Sequence, residues 1–147
     1  MKNVVLITGG FDPIHSGHLE YIRAAKDKGD VLVVGLQSDE WLQNKKGVYF
    51  LPFEERCKVL ESVRHVDKVI SFDDSDGTAY RAIEKVQDMY SGDNIIFANG
   101  GDRTPETAPP EESNIQGVTY LWGVGGEKTN SSSVILKKYL DAINKNK

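Results

Sequence analysis

The segment Val4-Val5-Leu6-Ile7-Thr8-Gly9-Gly10-Phe11-Asp12-Pro13-Ile14-His15-Ser16-Gly17-His18 runs from an apolar strand through a glycine turn into a helix. Val4 to Ile7 is a continuous β-branched and aliphatic run, the pattern of a strand buried on both faces. Gly9-Gly10 lets the backbone turn tightly and approach a ligand closely. Two of the chain's three histidines follow in a His-x-Gly-His arrangement. Free N–H groups at the start of the next helix favour an anion there. Imidazoles beside that anion can donate hydrogen bonds to phosphoryl oxygens and stabilise charge developing in a transition state. A plainer account makes Gly9-Gly10 a strand-ending turn, His15 a surface residue and His18 a helix-start residue. A metal site is a third account, weakened because Cys57 is distant and no His-x-x-x-His pair occurs.

Outward from this segment the chain alternates strand and helix patterns. His18 to Lys28 carries Leu19, Ile22 and Ala25 at helical spacing, with Gly29 as a stop, and Val31 to Leu36 repeats the buried-strand pattern. Together they predict a βαβ unit. Pro52 to Val63 reads as a helix, with Pro52 and Glu54-Glu55 suited to its first turn, and Val66 to Phe72 as a strand. Gly77 to Tyr90 reads as a helix, Asn94 to Ala98 and Val118 to Trp122 as strands. Ser132 to Ile143 closes the pattern as a helix with an apolar stripe. The expected fold is α/β: a Rossmann-like, doubly wound, mostly parallel five-stranded sheet with helices on both faces, whose ligands sit beyond the carboxyl ends of the strands. Asn99 to Gly117 is a long, Pro-rich, polar connection, a length more typical of a functional loop than of filler.

Composition narrows the classes. With 147 residues, 39% of them hydrophobic and 27% charged, residues 1–147 are expected to form a single domain. Cys57 has no partner in the chain, so a reducing compartment, the cytoplasm, is the expected location. The apolar run before Gly9 is too short for a signal-peptide core or a membrane span, and no membrane association is expected. A net charge of −4 without a block of lysines argues against nucleic acid, while leaving room for a local phosphate pocket. Gly123 to Thr129 imitates a phosphate-binding Gly-Lys-Thr loop, but Glu127 stands where the second glycine belongs. Nor does the first turn contain the G-x-G-x-x-G of dinucleotide-binding enzymes.

Gly10 to His18 resembles the signature of the HxGH nucleotidyltransferases, a superfamily with cytidylyltransferases for phosphocholine and glycerol 3-phosphate and several adenylyltransferases. The likeness extends along the chain. Phe53-Glu54-Glu55-Arg56 with Val59-Leu60 and Val66-Asp67 is similar to the family's second block, Lys45 and Lys46 match its phosphate-contacting lysine, and Ser131-Ser132-Ser133 resembles its last helix start. Gly100-Gly101-Asp102-Arg103-Thr104-Pro105-Glu106 is similar to the Gly-Gly-Asp-x-x-Pro-Glu segment of domains that adenylylate D-glycero-D-manno-heptose 1-phosphate. Arg64-His65-Val66-Asp67 looks more like the Arg-Tyr-Val-Asp block of cytidylyltransferases, whose Arg-Thr-x-Gly-Ile-Ser-Thr-Thr motif is degraded here, with Gly126 at the arginine position.

The resemblance implies transfer of a nucleotidyl group from ATP or CTP, with Mg²⁺, to a small phosphorylated acceptor such as a sugar phosphate or phospho-alcohol, releasing pyrophosphate. ATP is slightly favoured. It implies His15 and His18 at the bridging and α/β phosphate oxygens, and Lys45 or Lys46 neutralising the attacking or departing phosphate. Ser131, Ser132 and Ser133 would hold the β/γ portion. Gly9, Gly10, Phe11, Asp12, Gly17, Arg56, Gly101 and Asp102 complete the nucleotide site, with Asp12 also a candidate Mg²⁺ ligand. Alternatives stay open for several of these. The serines can simply cap a helix, Arg56 can pair on a helix face or hold a loop, Lys45-Lys46 can be a solvated loop pair, and Asp102 can cap its own loop. His65, alone before a strand, reads as structural. Superfamily members are often dimers, and Trp41 is available to a homodimer interface. The competing function is a binding module that keeps the nucleotide and has lost the reaction.

Overall fold

Asn3–Gly9 forms the central strand, β1, of a five-stranded sheet in the computed structural model, which describes residues 1–101, 103–126 and 131–145. On one side it pairs in parallel with β2 (Val31–Leu36), from Val4 opposite Val31 to Gly9 opposite Leu36. On the other side it pairs with β4 (Asn94–Gly100). β3 (Lys68–Ser71) and β5 (Val118–Val124) occupy the edges, giving the order β3-β2-β1-β4-β5 with every pairing parallel. Parallel strands need helical crossovers, supplied by α1 (Ser16–Lys26), α2 (Asp39–Lys46), α3 (Phe53–Glu61), α4 (Tyr80–Met89) and the short α5 (Pro110–Ser113).

Alternation along β1 explains the two-sided burial. Val5 and Ile7 point into one core with Ile22 of α1, Leu36 and Leu60 of α3; Val4 and Leu6 point into the other with Ala82, Ile83 and Val86 of α4. Val4 to Ile7 are all fully buried, as the unbroken apolar run predicts. Each such side chain contributes about 1.5–3 kcal/mol relative to exposure. With helices on both faces, the sheet is the Rossmann-like α/β arrangement expected.

Three differences from the sequence reading matter. Lys45 and Lys46 lie on α2, not in a loop: Ser38 Oγ caps it by accepting from Trp41 N at 3.1 Å, and Gly47, at φ 84°, ends it. The 99–117 connection carries α5 and is tied down, since Tyr120 Oη donates to Glu112 O at 2.6 Å and accepts from Ile115 N at 3.0 Å. Finally, α6 (Ser132–Lys145) leaves much of its apolar stripe at the surface, with Val134, Tyr139, Leu140 and Ile143 all exposed. Among the described residues no helix is long and apolar enough to cross a membrane.

Candidate active site

At the carboxyl end of the sheet a cleft of about 950 Å³ gathers the turn after β1, the first turns of α1 and α6, the inner face of α2, and residues after β4. This is where a doubly wound sheet binds ligands: loops after neighbouring strands diverge there and helix N-termini converge. Gly10 permits that packing, because a Cβ on it would meet Leu42 Cδ2 at 2.6 Å. Phe11 turns the chain at φ 50°, a left-handed conformation rarely taken by an aromatic residue, and is buried in the core with its ring edge-on to His18, 4.9 Å between centroids.

The two histidines build their own helix start. His15 is the N-cap of α1, its Nδ1 accepting from Gly17 N at 3.1 Å, while His18 Nδ1 accepts from His15 N at 3.2 Å, a reciprocal capping box made of imidazoles. The rings stack with centroids 3.9 Å apart. A ring nitrogen that accepts a backbone N–H carries no proton, so this network assigns the neutral tautomer with hydrogen on Nε2 to both rings. Each ring thus carries its N–H on Nε2, opposite the nitrogen that accepts in the helix cap.

The α6 start is brought to the same place. Ser132 Oγ donates to Pro13 O at 2.7 Å, and Ser131 Oγ accepts from Val134 N at 3.1 Å. The capping account holds for Ser131, and it coexists with the place of Ser131, Ser132 and Ser133 on the cleft wall. Lys45 Nζ lies 4.7 Å above the Trp41 ring, and Lys46 Nζ donates to Asp12 O at 3.3 Å, so both ammonium groups stand at the cleft. Gly9, Gly17 and Gly101 line it too. Asp102 lies outside the described residues.

Two of the expected ligand residues have partners within the protein. Arg56 is 1% exposed and does not face the cleft: Nε donates to Leu51 O at 2.9 Å, one terminal nitrogen to Gln37 O at 2.8 Å and Gly10 O at 3.1 Å, and the other to Asp39 Oδ1 at 2.6 Å. Full commitment to three carbonyls and a carboxylate leaves it the role of holding the loops after β1, β2 and α2 together. Asp12 is equally buried, and its two carboxylate oxygens accept from Phe50 N at 2.6 Å and Leu51 N at 2.7 Å. A carboxylate so occupied fastens the strap after α2, and Asp12 also lines the cleft. Among the described residues no group of three or more His, Cys, Asp or Glu is arranged to hold a metal. Asp12→Asn would set an amide NH₂ against a backbone N–H, and should lower unfolding free energy by about 1–3 kcal/mol in a urea titration. Unchanged stability with lost activity would restore the ligand role.

Residues that sequence patterns did not single out also line the cleft. Tyr21 Oη donates to Ala98 O at 2.5 Å, and burial pushes its hydroxyl well above the usual tyrosine range. Gln37, just after β2, has a buried Oε1 without a hydrogen-bond partner among the described residues. Glu112, 1% exposed, accepts from Ala79 N at 2.5 Å and from Arg103. Burial pushes its carboxyl up, opposed by the Ala79 amide and the Arg103 guanidinium. Only α2 had a readable signal, in Ser38-Asp39-Glu40 followed by Gly47.

A family model described as cytidylyltransferase-like matches residues 6–130. The bifunctional protein HldE of Geobacter metallireducens is 32% identical over 146 residues, covering 94% of this chain and 28% of that protein. The glycerol-3-phosphate cytidylyltransferase of Staphylococcus aureus is 43% identical over 70 residues, 48% of this chain and 52% of that enzyme. The chain therefore spans about a quarter of the length of the HldE relatives it matches. A lipopolysaccharide core biosynthesis protein from Thermoplasma volcanium shares the fold at TM-score 0.67 and 24% identity, over 84% of this chain and 95% of that one. These likenesses agree with the resemblance read in the sequence.

Proposed function

Because the chain belongs to the cytidylyltransferase-like family, we propose that it transfers a nucleotidyl group from a nucleoside triphosphate to a phosphomonoester, releasing pyrophosphate. The observation that carries this reading is the stacked pair of imidazoles, 3.9 Å apart, in one cleft with the α6 start and two lysines. An acceptor phosphate oxygen attacks the α-phosphorus in line, a P–O bond forms, and the bond to the β-bridging oxygen breaks as its electron pair leaves with pyrophosphate. The acceptor is already anionic, so no general base is required, and the protein's work is positioning and charge neutralisation.

His15 and His18, donating through Nε2, serve the bridging and α-phosphate oxygens. The first turn of α6, with Ser131 to Ser133, faces the β- and γ-phosphates. Lys45 and Lys46 neutralise the attacking or departing phosphate. Magnesium enters as part of the substrate, bound to the triphosphate oxygens, a mode that needs few protein carboxylates. ATP is preferred over CTP in this reading, supported by the Gly100-Gly101-Asp102 segment with Pro105-Glu106 and by Gly126 in place of an arginine. A cytidylyltransferase acting on glycerol 3-phosphate is the second reading, favoured by the likeness to the Staphylococcus aureus enzyme.

The test is pyrophosphate release by purified protein with Mg²⁺, crossing ATP, CTP, GTP and UTP with heptose phosphates, glycerol 3-phosphate, phosphocholine and phosphopantetheine. Release that requires one triphosphate and one acceptor together is expected. No release with any pair, alongside a nucleotide-induced melting shift, would instead favour a binding module.

A further inference from the structure

Asp74 lies three residues beyond the end of β3 and is buried, with 8% exposure. One of its carboxylate oxygens accepts from Ser38 N and the other from Ser38 Oγ, each at 2.7 Å. The charge on the acceptor makes both bonds strong. Ser38 is the N-cap of α2, and the Oγ that donates to Asp74 also accepts from Trp41 N. One helical turn further on, Lys45 sets its Nζ over the Trp41 ring, and both residues line the cleft. A continuous line of contacts therefore runs from a buried carboxylate after β3, through the N-cap hydroxyl, to an ammonium group at the ligand space.

The packing of α2 leaves its rotation to such polar contacts. Leu42 is its one buried residue, and apolar burial is non-directional, so a single leucine holds the helix to the sheet without fixing how it is turned. At the far end Lys46 donates to Asp12 O at 3.3 Å, and in the first turn Asp39 reaches Arg56 from a side chain that is one-third exposed. The contact between Ser38 and Asp74 is instead made by two short bonds to one buried carboxylate. Neither Asp74 nor Ser38 lines the cleft, so an effect of either on a ligand must be exerted through α2. Building on nucleotidyl transfer at this site, we infer that Asp74 is a positioning residue, which acts through Ser38 and Trp41 to hold α2 in the rotation that presents Lys45 to a phosphate group in the cleft.

Calorimetric titration with inorganic pyrophosphate reads the phosphate site of the full chain without requiring turnover. By Coulomb's law alone, exchanging a carboxylate for an amide would tighten the binding of an anion. Asp74→Asn is expected to do the reverse and weaken pyrophosphate about fivefold or more, through lost placement of Lys45. In a Lys45→Met background the same substitution should change nothing further, because the group it addresses is gone. Ser38→Ala should act like Asp74→Asn, whereas Ser38→Thr, which keeps the hydroxyl, should bind like the unmodified protein. Trp41 gives a second reading, as the sole tryptophan once Trp122 is replaced by Phe. Asp74→Asn should shift its fluorescence in the same direction as Lys45→Met, since both take the ammonium off the ring. Unchanged affinity and emission in Asp74→Asn, or equal weakening with and without Lys45, overturns the assignment. Should Asp74→Asn fail to fold, the two Ser38 variants carry the same comparison. No pyrophosphate binding by the unmodified protein would count against the transfer reading alone, and the Trp41 emission would then decide whether Asp74 holds α2.

Discussion

His18→Ala is expected to lower kcat by about 10²–10³-fold, the usual cost of deleting one donor aimed at developing charge. The substitution also removes half of the imidazole capping box, because His18 Nδ1 accepts from His15 N, and should cost about 1 kcal/mol of stability. His18→Gln separates the two effects. A glutamine carbonyl at the third helical position can accept the same N–H, as it does in ordinary capping boxes, but its amide cannot reproduce the Nε2 donor. The glutamine variant should melt near the unmodified protein and turn over nearly as slowly as the alanine variant. Pyrophosphate release and thermal unfolding on both proteins measure this. Full turnover in either variant would remove the imidazoles from the chemistry and leave them as helix caps.

Arg56→Ala is expected to produce the largest loss of stability, about 3–5 kcal/mol, because it strips the partner from a buried charge network. Three carbonyls, of Gly10, Gln37 and Leu51, lose a donor that is itself 1% exposed. Asp39 loses its counter-charge but is one-third exposed and can turn to solvent. Asp39→Asn should therefore be much milder. Arg56→Lys should recover little, since one ammonium cannot span four acceptors that a planar fork reaches together. Urea unfolding of the three variants gives the comparison. An unchanged urea midpoint for Arg56→Ala, together with a raised KM for the triphosphate, would return this arginine to the nucleotide.

The strand β1, the glycine turn and the histidine pair were legible because each is a local pattern. An unbroken apolar run signals burial on both faces, and His-x-Gly-His after two glycines places two imidazoles within one helical turn. α2 was missed although its cap and stop residues were present, because its single buried position, Leu42, leaves almost no apolar periodicity. The ends of α4 shifted for a related reason. Thr78 N donates to Asp76 Oδ1 at 2.8 Å, and this local turn displaces the helix start to Tyr80.

What the chain's order of residues determined by itself was the alternation of strands and helices, the parallel sheet it forces, and the anion-favouring turn at His15 and His18. The tertiary structure alone decided which partners the charged residues meet. Arg56 and Asp12 read from the sequence like ligand contacts, yet Arg56 is spent on three carbonyls and the Asp39 carboxylate, and Asp12 accepts from two backbone N–H groups, all brought together from separate segments. Arg103 and Glu112 sit in a connection that sequence patterns left unstructured, yet they form an ion pair whose buried carboxylate is anchored to the start of α4. The physical reason is that a local pattern sets the conformation of a few neighbouring residues. Whether a charge is satisfied, buried or presented depends on partners far along the chain, and those meet only when the sheet is assembled.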